Sequence, residues 1–514
     1  MSIAIIGGGI TGLTAAFRLR RAGVPVTIYE ASNRVGGVIR TTLRNGFLAE
    51  CGPNTILETS PVVSELVRDL RIESLRLYSN PTAKNRYVLR NGTPTPVPDS
   101  PAGMLTSRLF STGAKLRLLT EPFVRRAAPE AEESVSEFVL RRLGREFLDY
   151  AINPMIAGIY AGDPARLSVT HAFPKLHALE QRYGSLILGQ ILGARERRNS
   201  KEISKQSAPK FSFRDGLQTL INALQHELND AIWLRSAVKG LRKTDNGWCV
   251  TIFQDGFESE HDHDAVLLAA PAFKLGEIPV RGLNDVSLEP LREIVYAPAA
   301  SLVLGFRRED VAHPLDGFGV LVPEVERRNI LGAIFSSSLF PYRASAGHVI
   351  ISCYMGGQRA PELATRDTAS AVELALDDLR VMLGVRGQPV FVHHTVFPKA
   401  IPQYEVGFGR FRNWMNQLET NAPGLFLAGH FRDGISLSDS IVSGARAAER
   451  LGAFVAGRAL TSRLHGRATL SPARRPAAEE DSIIAERLFR HGEDTVALPH
   501  TRCHPNTAQL IRQP

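Results

Sequence analysis

Cysteine is scarce in this sequence, which has four among its 514 residues. Cys51, Cys249, Cys353 and Cys503 lie far apart, so the chain has no C-x-x-C site and no pattern of a disulfide framework. Scattered cysteines are typical of a reducing compartment, and we therefore expect a cytoplasmic protein.

Long apolar runs are absent as well. No stretch reaches the roughly 20 apolar residues that a membrane-spanning helix requires. The chain opens on a core strand and shows no charged region followed by a hydrophobic core, so we expect no signal peptide. The hydrophobic fraction of 44% and the charged fraction of 22% are ordinary for a globular protein, and this length predicts two or three domains.

Acidic residues are outnumbered by basic ones. The chain has 61 Lys and Arg against 52 Asp and Glu, which gives a formal net charge of +9. This balance suits an anionic partner or surface, while a solvated basic surface explains it equally well. We expect no nucleic-acid partner.

The first thirty residues contain the most informative pattern. Ser2 to Ile6 is predicted to be an apolar strand, and it runs directly into glycines at the G-x-G-x-x-G spacing. A helix is predicted from Thr11 to Ala22, because its apolar residues recur at helical spacing. A second strand, Pro25 to Tyr29, ends at Glu30. Strand, glycine loop, helix, strand and acid together predict a dinucleotide site.

Each glycine of this loop has a physical role in such a site. Gly7 permits the tight turn, Gly9 lets the backbone approach a pyrophosphate, and Gly12 lets the helix pack close to the strand. The helix N-terminus offers N–H groups and a positive dipole end to the phosphates. Glu30 is placed to accept hydrogen bonds from ribose hydroxyls.

A second glycine motif, Arg34-Val35-Gly36-Gly37 followed by Thr41, lies shortly after Glu30. This R-x-G-G-x-x-x-[ST] pattern resembles the second signature of the flavin amine oxidase superfamily, which implies FAD rather than NAD. Further along, ordered segments resemble the protoporphyrinogen oxidases. They are Asn85 to Val88, Asn153 to Pro164, Phe173 to Ser185, Gly216 to Leu220, Gly317 to Pro323, Ser336 to Pro341, Tyr354 to Gly357 and Ile401 to Tyr404.

The resemblance covers residues 1 to about 455 and implies a domain organisation. The expected fold class is α/β, with a discontinuous FAD-binding Rossmann-like domain, an α/β substrate domain and a mostly helical membrane-associated domain. The FAD-binding domain would comprise residues 1–95, 211–274 and 401–456. The helical membrane-associated and substrate-channel domain would span 96–210, the substrate-binding domain 275–400, and a C-terminal extension 457–514.

Two pieces of the predicted helical region stand out. Met104 to Arg126 is basic and rich in leucine, and Tyr183 to Ala194 is an uncharged helix candidate. A basic amphipathic stretch suits an anionic membrane surface, and the alternative is a helix packed on its own domain. Glu196 to Lys210 is polar and is expected to be a loose connection.

The resemblance implies FAD- and oxygen-dependent oxidation of a porphyrinogen, with hydrogen peroxide as by-product. Three two-electron steps would each pass a hydride to flavin N5, so no catalytic side chain is assigned. Arg86 would pair with a propionate, Asn54 would face the macrocycle, and Leu321, Ile334 and Tyr354 would sandwich it. Ordinary core packing is the alternative for the apolar positions. The implied cofactor contacts are Gly7, Gly8, Gly9, Ile10, Thr11, Gly12, Glu30, Ala31, Arg34, Gly37, Val38, Gly52, Pro53, Asn54, Thr55, Val238, Gly429, Ile435, Ser436 and Leu437.

The FAD is expected to be non-covalent, because no cysteine lies near the last FAD segment. Some family members have an aromatic residue after the I-P-Q-Y segment, whereas this chain has Gly409 at that place. The expected partners are the porphyrinogen, molecular oxygen, a membrane surface at the inner face of the cell membrane and a second copy of the chain in a homodimer.

Alternatives remain open at this point. Protoporphyrinogen IX is the first candidate substrate and coproporphyrinogen III the second. An amine oxidase or carotenoid desaturase would share the FAD signatures but not the segments Tyr160 to Pro164 and Phe173 to Ser185. A porphyrin carrier that retains flavin without turnover is a different class. The tail from Arg458 is predicted to be mostly disordered apart from a helix near Asp481 to Arg490, and its His500, Cys503 and His504 are not expected to bind metal.

Overall fold

The computed structural model describes residues 2–128, 131–193 and 208–468. Contacts along the chain divide it into two units, Met1–Val455 and Ala456–Pro514. The loose connection and the tail with its helix, histidines and Cys503, as predicted from the sequence, lie largely or wholly outside the described residues.

The described strands form five sheets. They are β1 Ile3–Ile6, β2 Val26–Tyr29, β3 Thr41–Arg44, β4 Phe47–Glu50, β5 Ile56–Leu57, β6 Arg76–Tyr78, β7 Asn85–Arg90, β8 Thr93–Pro96, β9 Lys210–Phe213, β10 Ile232–Trp233, β11 Ala237–Thr244, β12 Gly247–Gln254, β13 Phe257–His263, β14 Ala265–Leu268, β15 Val280–Arg281, β16 Tyr296–Arg307, β17 Gly317–Leu321, β18 Ile330–Ile334, β19 His348–Gly356, β20 Phe391–Pro402 and β21 Leu425–Leu427.

The α-helices of the described residues are mostly short. They are α1 Ile10–Arg21, α2 Pro61–Asp69, α3 Pro101–Thr106, α4 Thr112–Leu119, α5 Val135–Arg142, α6 Arg145–Phe147, α7 Asn153–Tyr160, α8 Val169–Ala172, α9 Pro174–Tyr183, α10 Leu186–Leu192, α11 Gln218–Leu228, α12 Ala272–Leu275, α13 Ser336–Leu339, α14 Thr368–Leu383, α15 Gly409–Asn421, α16 His430–Asp433 and α17 Leu437–Ala468.

The first sheet is parallel and has the order β10-β2-β1-β14-β21. Its strands come from three separated stretches of the chain. All four residues of β1 are buried, as expected for a central strand covered on both faces. Helix α1 buries Leu13, Ala16 and Phe17 against this sheet and has its basic residues in the last turn, where they complement the helix dipole. The result is a Rossmann-like core within a mixed α/β fold.

The seven-stranded sheet has the order β20-β16-β19-β18-β17-β7-β8. One face packs on α14 through apolar residues such as Leu302 and Cys353 with Leu379. The hairpin β7–β8 turns at Asn91 and Gly92, which both have positive φ, as a tight two-residue hairpin loop requires. Because β7 pairs with β17, residues 85–95 belong to this sheet, whereas the predicted boundary assigned them to the first FAD segment.

The region from residue 97 to 193 contains α3 to α10 and only helical or irregular structure apart from isolated bridges, within its described residues. At its centre lies Arg142, fully buried, with Glu121 Oε1 at 3.1 Å and Glu180 as its second partner. Glu121 also accepts a hydrogen bond from the Leu186 N–H at 2.9 Å, which places its negative charge at the N-terminus of α10.

Both helical pieces singled out in the sequence are interrupted in the structure. Met104 to Arg126 is divided among α3, α4 and a 3-10 turn at Glu121–Phe123. Tyr183 ends α9, Gly184 has φ +71°, and α10 starts two residues later, so this glycine breaks the helix. Among the helices described, none combines the length and apolar character needed to cross a membrane.

Candidate functional site

The glycine loop between β1 and α1 forms an open cradle. Gly7 has φ +109°, and a Cβ on Gly12 would lie only 2.1 Å from the Gly7 carbonyl oxygen. By contrast, a Cβ on Gly9 would meet no atom within 4 Å. Gly9 caps α1 without a side-chain hydrogen bond, and no acidic residue lies in the first turn. Open space at a helix N-terminus fits the pyrophosphate of a dinucleotide.

Glu30, at the end of β2, organises this loop. Its Oε2 accepts a hydrogen bond from the Gly8 N–H at 2.7 Å, and its Oε1 accepts from the Ser32 N–H and hydroxyl at 2.8 and 2.7 Å. A carboxylate has about four acceptor positions, so Oε2 retains capacity for a ribose hydroxyl. Val238 lies near the same end, because the Ser236 N–H donates to the Glu30 carbonyl at 2.9 Å.

The second glycine motif packs against the first. The Gly36 N–H donates to the Gly8 carbonyl at 2.7 Å, and a Cβ on Gly37 would lie 3.7 Å from the Gly9 Cα. Arg34 donates to the carbonyls of its own loop, including Gly37 O at 2.5 Å. Burial, with the neighbouring charge of Arg40, lowers the pKa of Arg34. Arg34, one of the implied cofactor contacts, therefore holds its own loop closed in this structure.

The turn at residues 52–55 follows the same loop closely. A Cβ on Gly52 would lie 2.5 Å from the Val38 carbonyl oxygen, so only glycine fits there without movement. Pro53 and Thr55 are half-buried, and Asn54 between them is buried. These residues carry the chain from the dinucleotide cradle toward the seven-stranded sheet.

Helix α17 brings a second helix N-terminus to the cradle. Ser436 precedes the helix and exchanges two hydrogen bonds with Asp439, at 3.2 and 3.1 Å, in the manner of a capping box. Thr11, in the first turn of α1, donates its hydroxyl to the Ser440 carbonyl at 3.1 Å. A Cβ on Gly444 would lie 2.3 Å from the Thr11 carbonyl oxygen, so the two helices touch at a glycine.

The loop before α17 is held by residues of the I-P-Q-Y segment. The Tyr404 hydroxyl donates to the His430 carbonyl at 2.5 Å and accepts from the Gly434 N–H at 2.9 Å. The Gly429 N–H donates to the Ser443 hydroxyl at 2.8 Å. Ile435 and Leu437, predicted cofactor contacts, follow this loop directly. The motif thus has a supporting role here that its sequence alone did not reveal.

One row of the seven-stranded sheet places two predicted substrate residues side by side. Arg86 on β7 stands opposite Gly319 on β17, and Gly319 stands opposite Ile334 on β18. Residues in register across neighbouring strands point to the same face, so Arg86 and Ile334 flank a position without a side chain. Arg86 is exposed and Ile334 half-buried.

The next row on this face contains two further predicted substrate residues, Leu321 and Tyr354. Leu321 on β17 pairs with Gly332 on β18, which pairs with Tyr354 on β19. Leu321 reaches α7, where a Cβ on Gly158 would lie 2.6 Å from its Cδ2. We call the face that carries Arg86, Leu321, Ile334 and Tyr354 the substrate face. It lies opposite the face that packs on α14.

Asn54 connects the turn near the cradle to this face. Its side-chain amide donates to the Tyr354 hydroxyl, and its carbonyl oxygen accepts from the Ser336 hydroxyl at 3.4 Å. Burial raises the pKa of Tyr354 well above its ordinary range, so the phenol stays neutral. The structure therefore brings Asn54 together with Tyr354, a contact that no local sequence signal predicts.

Sequence reasoning also missed a buried ion pair beneath this region. Glu50 lies 3.4 Å from Arg343, and it accepts hydrogen bonds from the Thr41 hydroxyl at 2.7 Å and the Leu217 N–H at 2.8 Å. Gly409 stands where some family members have an aromatic residue. It begins α15, and a Cβ there would lie 3.1 Å from His171 Nε2, so this histidine occupies the adjoining space.

Comparisons with known proteins agree with this geometry. Residues 10–452 match the family model described as flavin containing amine oxidoreductase. Protoporphyrinogen oxidase 2 of Arabidopsis thaliana is 36% identical over 87% of this chain and 93% of that protein. Coproporphyrinogen III oxidase of Bacillus subtilis is 29% identical over 86% and 96%. A protein of Exiguobacterium sp. 255-15, provisionally assigned as a protoporphyrinogen oxidase, superposes with a TM-score of 0.74 at 23% identity over 88% and 98%. The resemblance predicted from the motifs is confirmed.

Proposed function

Because this chain belongs to the protoporphyrinogen oxidase family of flavin-containing amine oxidoreductases, we propose that it oxidises protoporphyrinogen IX to protoporphyrin IX. The observation that carries the proposal is the substrate face. Arg86, Leu321, Ile334 and Tyr354 share one side of the seven-stranded sheet, and Asn54 ties that side to the cradle.

The cofactor is FAD. When bound, FAD would supply the two-electron redox chemistry of each oxidation, and molecular oxygen is the proposed final acceptor. The open space at Gly9 and the two converging helix N-termini support a dinucleotide there. Glu30 would bind the ribose, and Ser436 with Leu437 would present the α17 dipole to the isoalloxazine ring. We propose non-covalent binding, because residues 401–456 contain no cysteine.

The side chains of the substrate face would position rather than activate the substrate. Arg86 suits a carboxylate, since its planar guanidinium matches the two oxygens of a propionate. Leu321 and Ile334 would cover the macrocycle with apolar surface and exclude water. The neutral phenol of Tyr354, fixed by Asn54, adds a polar group that carries no charge near the macrocycle.

Coproporphyrinogen III is the second candidate substrate, favoured by the 29% identity to the Bacillus subtilis enzyme. Steady-state kinetics with both porphyrinogens would decide between them. We expect the higher kcat/KM with protoporphyrinogen IX. Anaerobic mixing should bleach the flavin absorbance of the purified protein, and air should restore it with formation of hydrogen peroxide. A protein that binds porphyrin without bleaching would be a carrier, and turnover of neither porphyrinogen would refute the proposal.

We also propose peripheral attachment to a membrane through the helical region. Its most exposed large apolar side chains are Leu105, Leu116, Leu119, Phe123, Ile191 and Leu192, which we call the apolar patch. Phe123 is 89% exposed, and the exposed Arg108 and Arg125 lie in the same stretch of chain. Apolar side chains beside basic ones suit the headgroup region of anionic lipid.

A further inference from the structure

Lys210, at the start of β9, is a half-buried lysine beside a second cation. Among residues 2–128, 131–193 and 208–468, no carboxylate lies within ion-pair distance of it. Burial lowers its pKa, and the charge of Arg86 lowers it further. A buried ammonium group without an acid is unfavourable, and proximity to a guanidinium makes it more so.

The backbone explains why these two cations are neighbours. The loop of residues 79–84 joins β6 to β7, and its first N–H, that of Ser79, donates to the Lys210 carbonyl at 2.8 Å. Arg86 is the second residue of β7, which begins at the other end of the loop. In the sheet β5-β9-β6, Phe211 faces the apolar core, so the alternation of the strand turns Lys210 away from that core.

Strand β9 also places Lys210 near the N-terminus of α17, on the side of the dinucleotide cradle. Lys210 stands opposite Leu57 on β5, and the Leu57 carbonyl accepts a hydrogen bond from the Ser438 hydroxyl in the first turn of α17. Lys210 therefore lies between the substrate face, marked by Arg86, and the N-terminus of α17.

We propose that Lys210 and Arg86 bind two neighbouring carboxylates of the substrate, with Lys210 as a second substrate-binding residue. This inference rests on the proposed function. Two carboxylates would relieve the repulsion between the cations, and one of them would give Lys210 the acidic partner that the described residues do not provide. The two propionates of protoporphyrinogen IX, on adjacent pyrrole rings, have this chemistry. Arg86 would provide the planar fork and Lys210 the point charge.

The test uses the full-length holoenzyme and three porphyrins: protoporphyrin IX, its monomethyl ester and its dimethyl ester. Equilibrium binding is measured by porphyrin fluorescence anisotropy. For wild type, we expect each esterification to weaken binding by roughly tenfold or more, the effect of one charged hydrogen bond. Lys210→Met should bind the diacid about tenfold more weakly, and its affinity for the dimethyl ester should equal that of wild type. Lys210→Arg should retain most of the affinity.

Lys274→Met is the matched control, since Lys274 is exposed and paired with Glu277. Lys210→Gln is a second substitution, in case the methionine variant misfolds. The FAD content of each variant is measured to show that it is folded. Unchanged affinity of Lys210→Met and Lys210→Gln for the diacid would overturn the inference. An equal loss for the diacid and the dimethyl ester would overturn it too, because it would show a structural role. Wild-type turnover of protoporphyrinogen IX is measured in parallel, so that failure of the proposed function is seen separately.

Discussion

The side-chain amide of Asn54 donates a hydrogen bond to the phenol oxygen of Tyr354, which lies 300 residues further along the chain. Asn54 belongs to the turn that follows the dinucleotide cradle, and Tyr354 belongs to β19 of the substrate face. This polar contact therefore links the turn beside the cradle to the substrate face.

A double-mutant cycle tests this contact. Tyr354→Phe and Asn54→Leu should each destabilise the protein by about 1–3 kcal/mol, because each leaves a buried polar group unpaired. The double variant should lose less than the sum of the two, with a coupling of about 0.5–3 kcal/mol. Urea unfolding measures the free energies, with Tyr342→Phe as an exposed control. Additive losses would contradict a direct bond.

Substitution of Gly9 should abolish FAD binding without unfolding the protein. A Cβ on Gly9 meets no protein atom and the backbone φ is −74°, so valine fits the empty protein but fills the space needed for the pyrophosphate. Purified wild type should be yellow, and Gly9→Val should lack flavin absorbance at an unchanged far-UV circular dichroism spectrum. Gly113→Val, at an exposed helical glycine, is the control and should keep its FAD. A yellow Gly9→Val protein would argue against this cradle.

Local patterns predicted the cradle well. The strand, glycine loop, helix and second strand were all expected within a residue or two of their observed ends, because their interactions lie within thirty residues of each other. The family and its flavin also followed from motifs of a few residues each. Such motifs can be recognised in one sequence, because glycine spacing and apolar periodicity each depend on residues that are close together in the chain.

Long-range relationships were not predictable in the same way. The row from Arg86 through Gly319 to Ile334 depends on strand register, and the ion pair of Glu50 with Arg343 joins residues 293 positions apart. Neither relationship produces a periodic pattern that could be recognised in a single sequence. The basic stretch from residue 104 to 126 is divided in the structure. Its helical pattern is real, but Ser107 and Ser111 end one helix and begin another.

Liposome flotation tests the apolar patch. Vesicles rich in anionic lipid should carry the protein upward, and recovery should fall at high salt, because exposed charges are screened. Leu119→Ser combined with Phe123→Ser should reduce recovery at least several-fold. Phe257→Ser, which changes a phenylalanine that is 78% exposed on the β12–β13 hairpin, is the control. Equal recovery with neutral vesicles would count against an electrostatic contribution, and no recovery at all would refute attachment.

Low pH should destabilise the fold, because the buried His263 is neutral in the folded protein and is protonated more readily in the unfolded chain. Burial lowers the pKa of His263 from 6.5 to about 4, and the neutral ring is bonded to the Tyr29 hydroxyl at 2.9 Å. Because the folded pKa is below the unfolded one, this stability is present above pH 6.5 and is lost as pH falls toward 4. Replacement of His263 by Gln should flatten that loss by up to about 3 kcal/mol. Denaturant unfolding between pH 4 and 7, with the exposed His226→Gln as control, measures it. A parallel pH profile would disprove this assignment.

Arg86 should contribute to substrate binding and not to FAD binding. If it pairs with a propionate, Arg86→Ala should lose about 1.5–3 kcal/mol, or roughly ten- to a hundred-fold in affinity. The change should appear mainly in KM, since the carboxylate carries the same charge in the ground and transition states. Lysine should rescue only part of it, because the point charge remains but the fork is lost. Steady-state kinetics on both porphyrinogens, with flavin content as control, measure these effects. Unchanged KM and kcat for Arg86→Ala on both substrates would refute the role, since the neighbouring Lys210 would then suffice alone.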